Sequence, residues 1–182
     1  TGVQTCALPI FGPSALMNNT TGNSNIAIGY IALTANTIGV DNTAIGYAAL
    51  DANTTGNYNT AVGRDALGAN TTGENNVALG ISSLQNNTTA SLNVALGGYT
   101  LYNNSIGGSN VAIGHGTLFA NTTGAANTAV GIAALDANTI GDSNSAFGRD
   151  ALGVNTTGSG NVAVGCYTGA AVTTGSNNTL LG

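Results

Sequence analysis

The chain has 182 residues, of which only 5% are charged, and its formal net charge is −5. It contains no lysine, and its two arginines are Arg64 and Arg149. It therefore lacks the basic patches that nucleic-acid or anionic-membrane partners require. Aliphatic residues return at regular intervals, which is atypical of a disordered chain, and the apolar runs are far shorter than the ~20 residues that a membrane span needs.

The N-terminal segment is set aside from the rest. Residues 1–10 match the in-frame translation of a common short-read sequencing adapter, so we expect residues 1–11 to be an artefact or a disordered leader. We expect residues 12–182 to form a single repeat domain that is truncated at both ends. Without Cys6, Cys166 has no partner, and the sequence supports no disulfide framework.

A five-residue pattern, Asn-x-Ala-x-Gly, organises the rest of the chain. It returns every 17 residues without insertion or deletion. Strict self-similarity at a short period predicts a solenoid, whatever the local propensities suggest. The first residues of the successive copies are Asn25, Asn42, Asn59, Asn76, Asn93, Asn110, Asn127, Asn144, Asn161 and Asn178.

Each coil contains two segments that favour strand. In the first, β-branched or aliphatic residues such as Ile26 and Ile28 flank an alanine, which is the period-two pattern of a strand. We expect these two residues to face the interior, and the Ala/Gly side to face another backbone closely. The second segment is centred on one leucine per coil, such as Leu33. The Asn-Thr-Thr-Gly that follows predicts a turn.

These segments predict an all-β fold, a parallel β-solenoid with 17-residue coils and two short strands per coil. About ten coils at the usual strand spacing make a rod roughly 45–50 Å long. Asparagines at the same phase would stack, and we interpret the column from Asn25 to Asn178, with a second column that starts at Asn36, as amide ladders. The alternative is an amide array presented to a ligand.

The predicted core is thin, which bears on the partners of the chain. Each coil offers about three interior aliphatic side chains, a small apolar area for 17 ordered residues. The bare Ala/Gly face then suggests a surface where identical rods meet. We expect a homotrimer that buries this face, with each coil contacting its equivalents.

One variable column concentrates the aromatic and charged side chains, and we interpret it as a ligand-display surface. The motif Gly-Arg-Asp-Ala-Leu occurs twice, and its arginine and aspartate either pair locally or between subunits, or contact a receptor. No paired carboxylates, metal clusters or nucleophile–base sets are recognisable, so we expect neither an enzyme nor a cofactor. The candidate display residues are Tyr30, Tyr47, Arg64, Asp65, Tyr99, His115, Arg149, Asp150 and Tyr167.

The segments at 42–46, 76–80 and 110–114 resemble the head repeats of trimeric autotransporter adhesins, the YadA-like heads, and similar repeats of phage tail fibres. The resemblance covers residues 12–182. It implies a left-handed β-roll, three chains side by side, and an extracellular adhesin on a cell surface (outer-membrane anchored) or a virion tail fibre. The period of 17 is longer than the typical head repeat. The last copy carries Gly169 for leucine and Val172 for asparagine, as expected near the end of an array.

Two other functions remain open. One is a purely structural spacer within a fibre. The other is binding to ice or a crystalline lattice, because in-phase threonines on a flat solenoid face can match a lattice. The adhesin's own ligand, a host protein or a glycan, is not indicated by the sequence. The threonines in phase are Thr37, Thr54, Thr71, Thr88, Thr122, Thr139 and Thr156.

Overall fold

The computed structural model describes residues 10–182 and confirms the all-β parallel solenoid with 17-residue coils. Residues 1–9, which make up most of the segment that we interpret as an artefact or leader, lie outside the described part. The described residues form one parallel sheet of 11 strands, in which each strand pairs with the next along the chain. The strands are β1 (Ile10–Phe11), β2 (Ile26–Ile28), β3 (Thr43–Ile45), β4 (Thr60–Val62), β5 (Val77–Leu79), β6 (Val94–Leu96), β7 (Val111–Ile113), β8 (Thr128–Val130), β9 (Ser145–Phe147), β10 (Val162–Val164) and β11 (Thr179–Leu181).

The strands pair in a register that stacks equivalent repeat positions. Ala44 of β3, for example, pairs with Ala27 of β2 and with Ala61 of β4. Each coil therefore lies one strand spacing above the previous one, and the 11 strands extend over roughly 48 Å. Every column of the repeat becomes a row of side chains along the rod.

The predicted orientation of the strands is wrong. Ala78, at the centre of β5, is fully buried, whereas Leu79 is 49% exposed. The lumen of a 17-residue coil already holds a leucine, a second small residue and two asparagines, so the strand can add only a methyl group there. The bulky residues consequently face outward. The Ala/Gly side is internal and cannot be the surface where identical rods meet.

The second strand of each coil, predicted around the leucine, is also absent from residues 10–182. The leucine lies in a turn with a left-handed backbone; for example, φ is 52° at Leu50. Its amide donates to Ala66 O of the next coil at 3.0 Å, and Asn53 N donates back to Leu50 O at 3.1 Å. A left-handed leucine costs about 1–2 kcal/mol. Complete burial of its side chain stabilises the fold by a comparable or larger free energy, about 1.5–3 kcal/mol.

The first asparagine column lies inside the rod and connects successive coils. Oδ1 of Asn76 accepts from both the backbone N and the Nδ2 of Asn93, at 3.1 and 3.3 Å. Nδ2 of Asn93 also donates to Gly107 O at 3.0 Å. Asn93 Oδ1 in turn accepts from Asn110 N at 2.9 Å, so both side-chain atoms of this fully buried amide are satisfied, as buried polar groups must be. The column works as scaffolding and is not accessible to a ligand.

The second asparagine column ends before the last coil. Asn36 donates to Asn19 Oδ1 at 2.8 Å, and the pattern continues up to Asn155, which donates to Asn138 Oδ1. Val172 has no donor to continue it, so Asn155 Oδ1 is a buried atom without a hydrogen-bond partner among the described residues. Leu180 and Val172 pack against the core there. The Leu180 side chain approaches the space that leucine fills in earlier coils and Gly169 leaves open.

Candidate functional site

The candidate display column occupies the exposed turn that follows each strand. After the glycine that ends the motif, the next side chain is exposed at Tyr30, Tyr47, Arg64, His115 and Arg149. The rings of Tyr30 and Tyr47, one coil apart, stack with centroids 5.5 Å from each other. A depression of about 410 Å³ lies beside Tyr47 and Arg64. The column therefore presents variable side chains to solvent in every coil except the one with Gly98 at this position.

The two Gly-Arg-Asp motifs form local ion pairs. Arg64 Nε lies 2.9 Å from Asp65 Oδ2, and Arg149 Nε lies 3.4 Å from Asp150 Oδ2. Arg149 also donates to the hydroxyl of Tyr167 and lies over its ring, 4.6 Å from the centroid. Exposed pairs of this kind contribute little to stability. Their main effect is to orient the arginines on the surface.

Two further acids lie beside these motifs, and the sequence interpretation did not include them. Asp51 lies in the turn of the coil before Asp65, and Asp136 lies in the turn of the coil before Asp150. Partial burial raises the pKa of Asp51 and of Asp136, and the charges of Asp65 and Asp150 respectively raise them further. The signal was present, because Leu-Asp-Ala-Asn recurs with the Gly-Arg-Asp motif at the same five-coil interval.

The raised pKa values predict a specific pH dependence. A carboxyl whose pKa is higher in the folded state favours folding below its ordinary pKa, and the benefit is lost as the pH rises through the raised value. The double variant Asp51→Asn, Asp136→Asn should therefore melt at a higher temperature than the parent at neutral pH, with the difference vanishing in acid. Thermal melts followed by circular dichroism across this range test it. Asp41→Asn, at an exposed side chain, serves as the control. An unchanged melting temperature at neutral pH in the double variant would contradict the prediction.

Four aromatic side chains come together on two adjacent coils, and only Tyr99 and His115 were candidates from the sequence. Their ring centroids lie 5.7 Å apart. Tyr102 lies 6.0 Å from Tyr99, and Phe119 stacks on Tyr102 at 5.2 Å. The 17-residue spacing of Tyr102 and Phe119 was the available signal. We call these four residues the aromatic patch.

The threonines considered for lattice binding donate hydrogen bonds to the backbone of the next coil. Thr54 Oγ1 donates to Thr71 O of the next coil at 3.1 Å, and Thr71 repeats the contact with Thr88 O at 3.0 Å. The side chains in this column are partly buried. Their hydroxyl protons are consequently directed at carbonyls of the rod, which leaves them poorly placed to order external water.

Neither the side chains of the described residues nor comparisons with other proteins assign a further function to the chain. Within residues 10–182, no group of three histidine, cysteine or acidic side chains could hold a metal ion. The same part of the chain contains no helix that is long and apolar enough to cross a membrane. Cys166 is exposed and unpaired there. Comparisons with family models, curated proteins and solved structures find no match to the chain.

Proposed function

We propose that this chain is a non-enzymatic segment of an extracellular fibre or surface adhesin, in which parallel copies assemble and display variable side chains. The observation that carries the proposal is the outward face of the sheet. We call it the outer sheet face; it consists of the first and third residues of β2 to β11. An adhesin or fibre needs a rigid rod, and the stacked coils with their internal amide ladder supply one.

The outer sheet face carries one apolar column along the whole rod: the third residue of every strand from β2 to β11 is apolar, whereas five of the ten first residues are threonine or serine. Leu79 is 49% exposed, Phe147 41% and Val164 44%. At one side chain per strand, the third-residue column forms an apolar stripe roughly 45 Å long. The largest continuous apolar patch on a protein surface is often a site of interaction. A partner that covers it would remove this apolar area from water.

A second and third copy of the chain fit this face best. The repeat makes each coil equivalent to the next, so parallel copies can meet with coil facing coil over the full length. Three-fold symmetry brings one outer sheet face from each rod to a common axis, and a closed cyclic arrangement of this kind is typical of homo-oligomers. We therefore keep the homotrimer that the sequence suggested, but propose that its copies meet through the outer sheet face instead of the Ala/Gly face.

The display column remains outside such an assembly as the variable surface. The core residues repeat almost unchanged from coil to coil, while the exposed position after each strand varies among tyrosine, arginine, isoleucine, glycine, histidine and cysteine. Variation concentrated at exposed turn positions, over a constant core, is the arrangement expected of a surface that recognises something. The ligand is a host protein or a glycan.

Substitution of the outer sheet face tests the assembly. The double variant Leu79→Gln, Leu96→Gln removes apolar side chains that contribute little to the core of one chain, so the particle should dissociate while its β-rich circular dichroism is retained. Loss of each buried leucine contact should weaken the assembly by about 1.5–3 kcal/mol. Light scattering measures the mass.

The matched control is Ile106→Gln, Ile140→Gln. These isoleucines are also exposed, at 59% and 53%, but they lie in the Asn-Thr-Thr-Gly turn and not on the sheet. The control should keep the mass of the parent. Dissociation in the control, or an unchanged mass in the sheet variant, would show that the outer sheet face does not hold the copies together.

A further inference from the structure

The aromatic patch has the composition of a ligand-binding surface. Tyr99 is 37% exposed and Phe119 38%; His115 is exposed and Tyr102 partly buried. The four rings form an unbroken row, from His115 through Tyr99 and Tyr102 to Phe119, with successive centroids 5.7, 6.0 and 5.2 Å apart. Exposed aromatic rings of this kind offer large, rigid contact areas at a low entropic cost.

The repeat is modified here in a way that leaves room for a ligand. Tyr99 has glycine, Gly116, as its equivalent in the next coil. A Cβ added to Gly116 would meet no atom within 4 Å in the described part of the chain. The neighbouring turn positions His115 and Phe119 carry rings. The result is a gap in this side-chain column beside the aromatic rings, which we call the notch.

Amide residues adjoin the patch along the chain. The residue after Tyr102 is Asn103, and its Oδ1 accepts a hydrogen bond from Asn86 Nδ2 at 3.4 Å. Most other coils have alanine in this column, as at Ala52 and Ala69. The modified coils thus combine rings with groups that both donate and accept hydrogen bonds. Neither Asn86 nor Asn103 belongs to the internal ladders, and both are only partly buried.

We propose that the aromatic patch binds a neutral saccharide, with one pyranose ring in the notch at Gly116. A pyranose has apolar C–H faces that pack on aromatic rings and a rim of hydroxyls that pair with amides and tyrosine hydroxyls. A small site with an apolar body and a few polar groups is the usual form of such pockets. The chain's net charge of −5 disfavours acidic sugars.

A quaternary ammonium is the competing occupant, since cations also bind to aromatic rings. Tetraalkylammonium sites of this kind are typically enclosed by rings, whereas the four rings here form an open row. The observations therefore favour the saccharide. This inference deepens the proposed display function by naming a ligand class, and it rests on that function for its biological role.

The test is saturation-transfer NMR of the full chain with methyl glycosides of glucose, galactose and mannose at millimolar concentration, and with tetramethylammonium as the competing probe. Transfer to the C–H protons of at least one glycoside is expected, with weak affinity because one small ring makes few contacts. Transfer to no glycoside, or to tetramethylammonium alone, would overturn the inference.

Two variants locate the site. Gly116→Asn fills the notch at a φ of 63°, which asparagine tolerates, and should weaken glycoside binding by about tenfold or more. Tyr102→Leu keeps an apolar side chain but removes a ring, and should also weaken binding. The control is Ala126→Asn, at a φ of 56° on an exposed turn of the same coil, away from the rings in sequence. Equal binding in Gly116→Asn and the control would exclude the notch.

The same samples separate the two proposals. Their mass is measured by light scattering alongside the NMR. A monomer that binds glycosides through Gly116 supports the saccharide site and contradicts the fibre assembly. An assembled particle that binds none leaves the assembly in place and removes the site.

Discussion

Asn93→Asp is expected to unfold the chain at neutral pH and to allow it to refold in acid. Asn93 Nδ2 donates to Asn76 Oδ1 and to Gly107 O. A carboxylate replaces this donor with an acceptor that faces both oxygens, inside a fully buried site. An uncompensated buried charge costs at least about 3–5 kcal/mol, a large part of the stability of an ordinary domain.

The pH dependence follows from the same burial. The new carboxyl would have its pKa raised in the folded state, since desolvation disfavours the charged form. Stability would be greatest below the ordinary carboxyl pKa and lost as the pH rises through the raised value. Circular dichroism at a series of pH values measures the fraction folded.

Asn75→Asp provides the matched control for this substitution. Asn75 precedes Asn76 of the ladder but is exposed, with a φ of 57°, and Asp41 occupies the same position of the repeat with a φ of 55°. This variant should fold at neutral pH like the parent. If Asn93→Asp melted at the same temperature as Asn75→Asp, the amide ladder would not be a main source of the rod's stability.

The second large effect is expected from Gly80→Ala. Gly80 has a φ of +136°, and an added Cβ would lie 2.6 Å from the carbonyl carbon and oxygen of Gly97. Both the backbone conformation and the contact exclude a side chain, because Gly97 belongs to the next coil and cannot move away without breaking the strand pairing. We expect a loss of more than about 4 kcal/mol, the range reached when a substitution strains the backbone and overpacks it together.

Gly116→Ala separates strain from crowding. Gly116 has a φ of 63° and open space around its missing Cβ, so alanine there should cost only about 1–2 kcal/mol. Denaturant unfolding of the two variants gives the comparison. Equal losses would mean that close approach between coils at the glycine column does not limit the fold.

The period of the repeat predicted the coil, the parallel sheet and the stacking of asparagines, because a constant spacing of 17 residues leaves few other ways to bury equivalent positions. It could not decide which side of a three-residue strand is inside. Alternation at Ile26, Ala27 and Ile28 is the same in either orientation, and size decided it: the narrow lumen admits Ala27 and excludes Ile28.

The left-handed leucine turns and the aromatic patch could not be predicted from the sequence pattern. Leucine is rarely left-handed, so Leu50 and its equivalents indicated strand where the chain forms a turn. The display residues Tyr99 and His115 were found as variable positions after a strand. Tyr102 follows the buried leucine, outside the column under consideration, and the row of rings emerges only when the coil closes. Proximity across a turn depends on the folded geometry.

The measurement that tests the central claim most directly is the solution mass of the unmodified chain by light scattering, with circular dichroism on the same sample. If the outer sheet face joins three copies, the particle should be β-rich with three times the 17.7 kDa mass of the chain. A folded, β-rich particle of 17.7 kDa would contradict the account, because the apolar outer sheet face would then be stable in water without a partner.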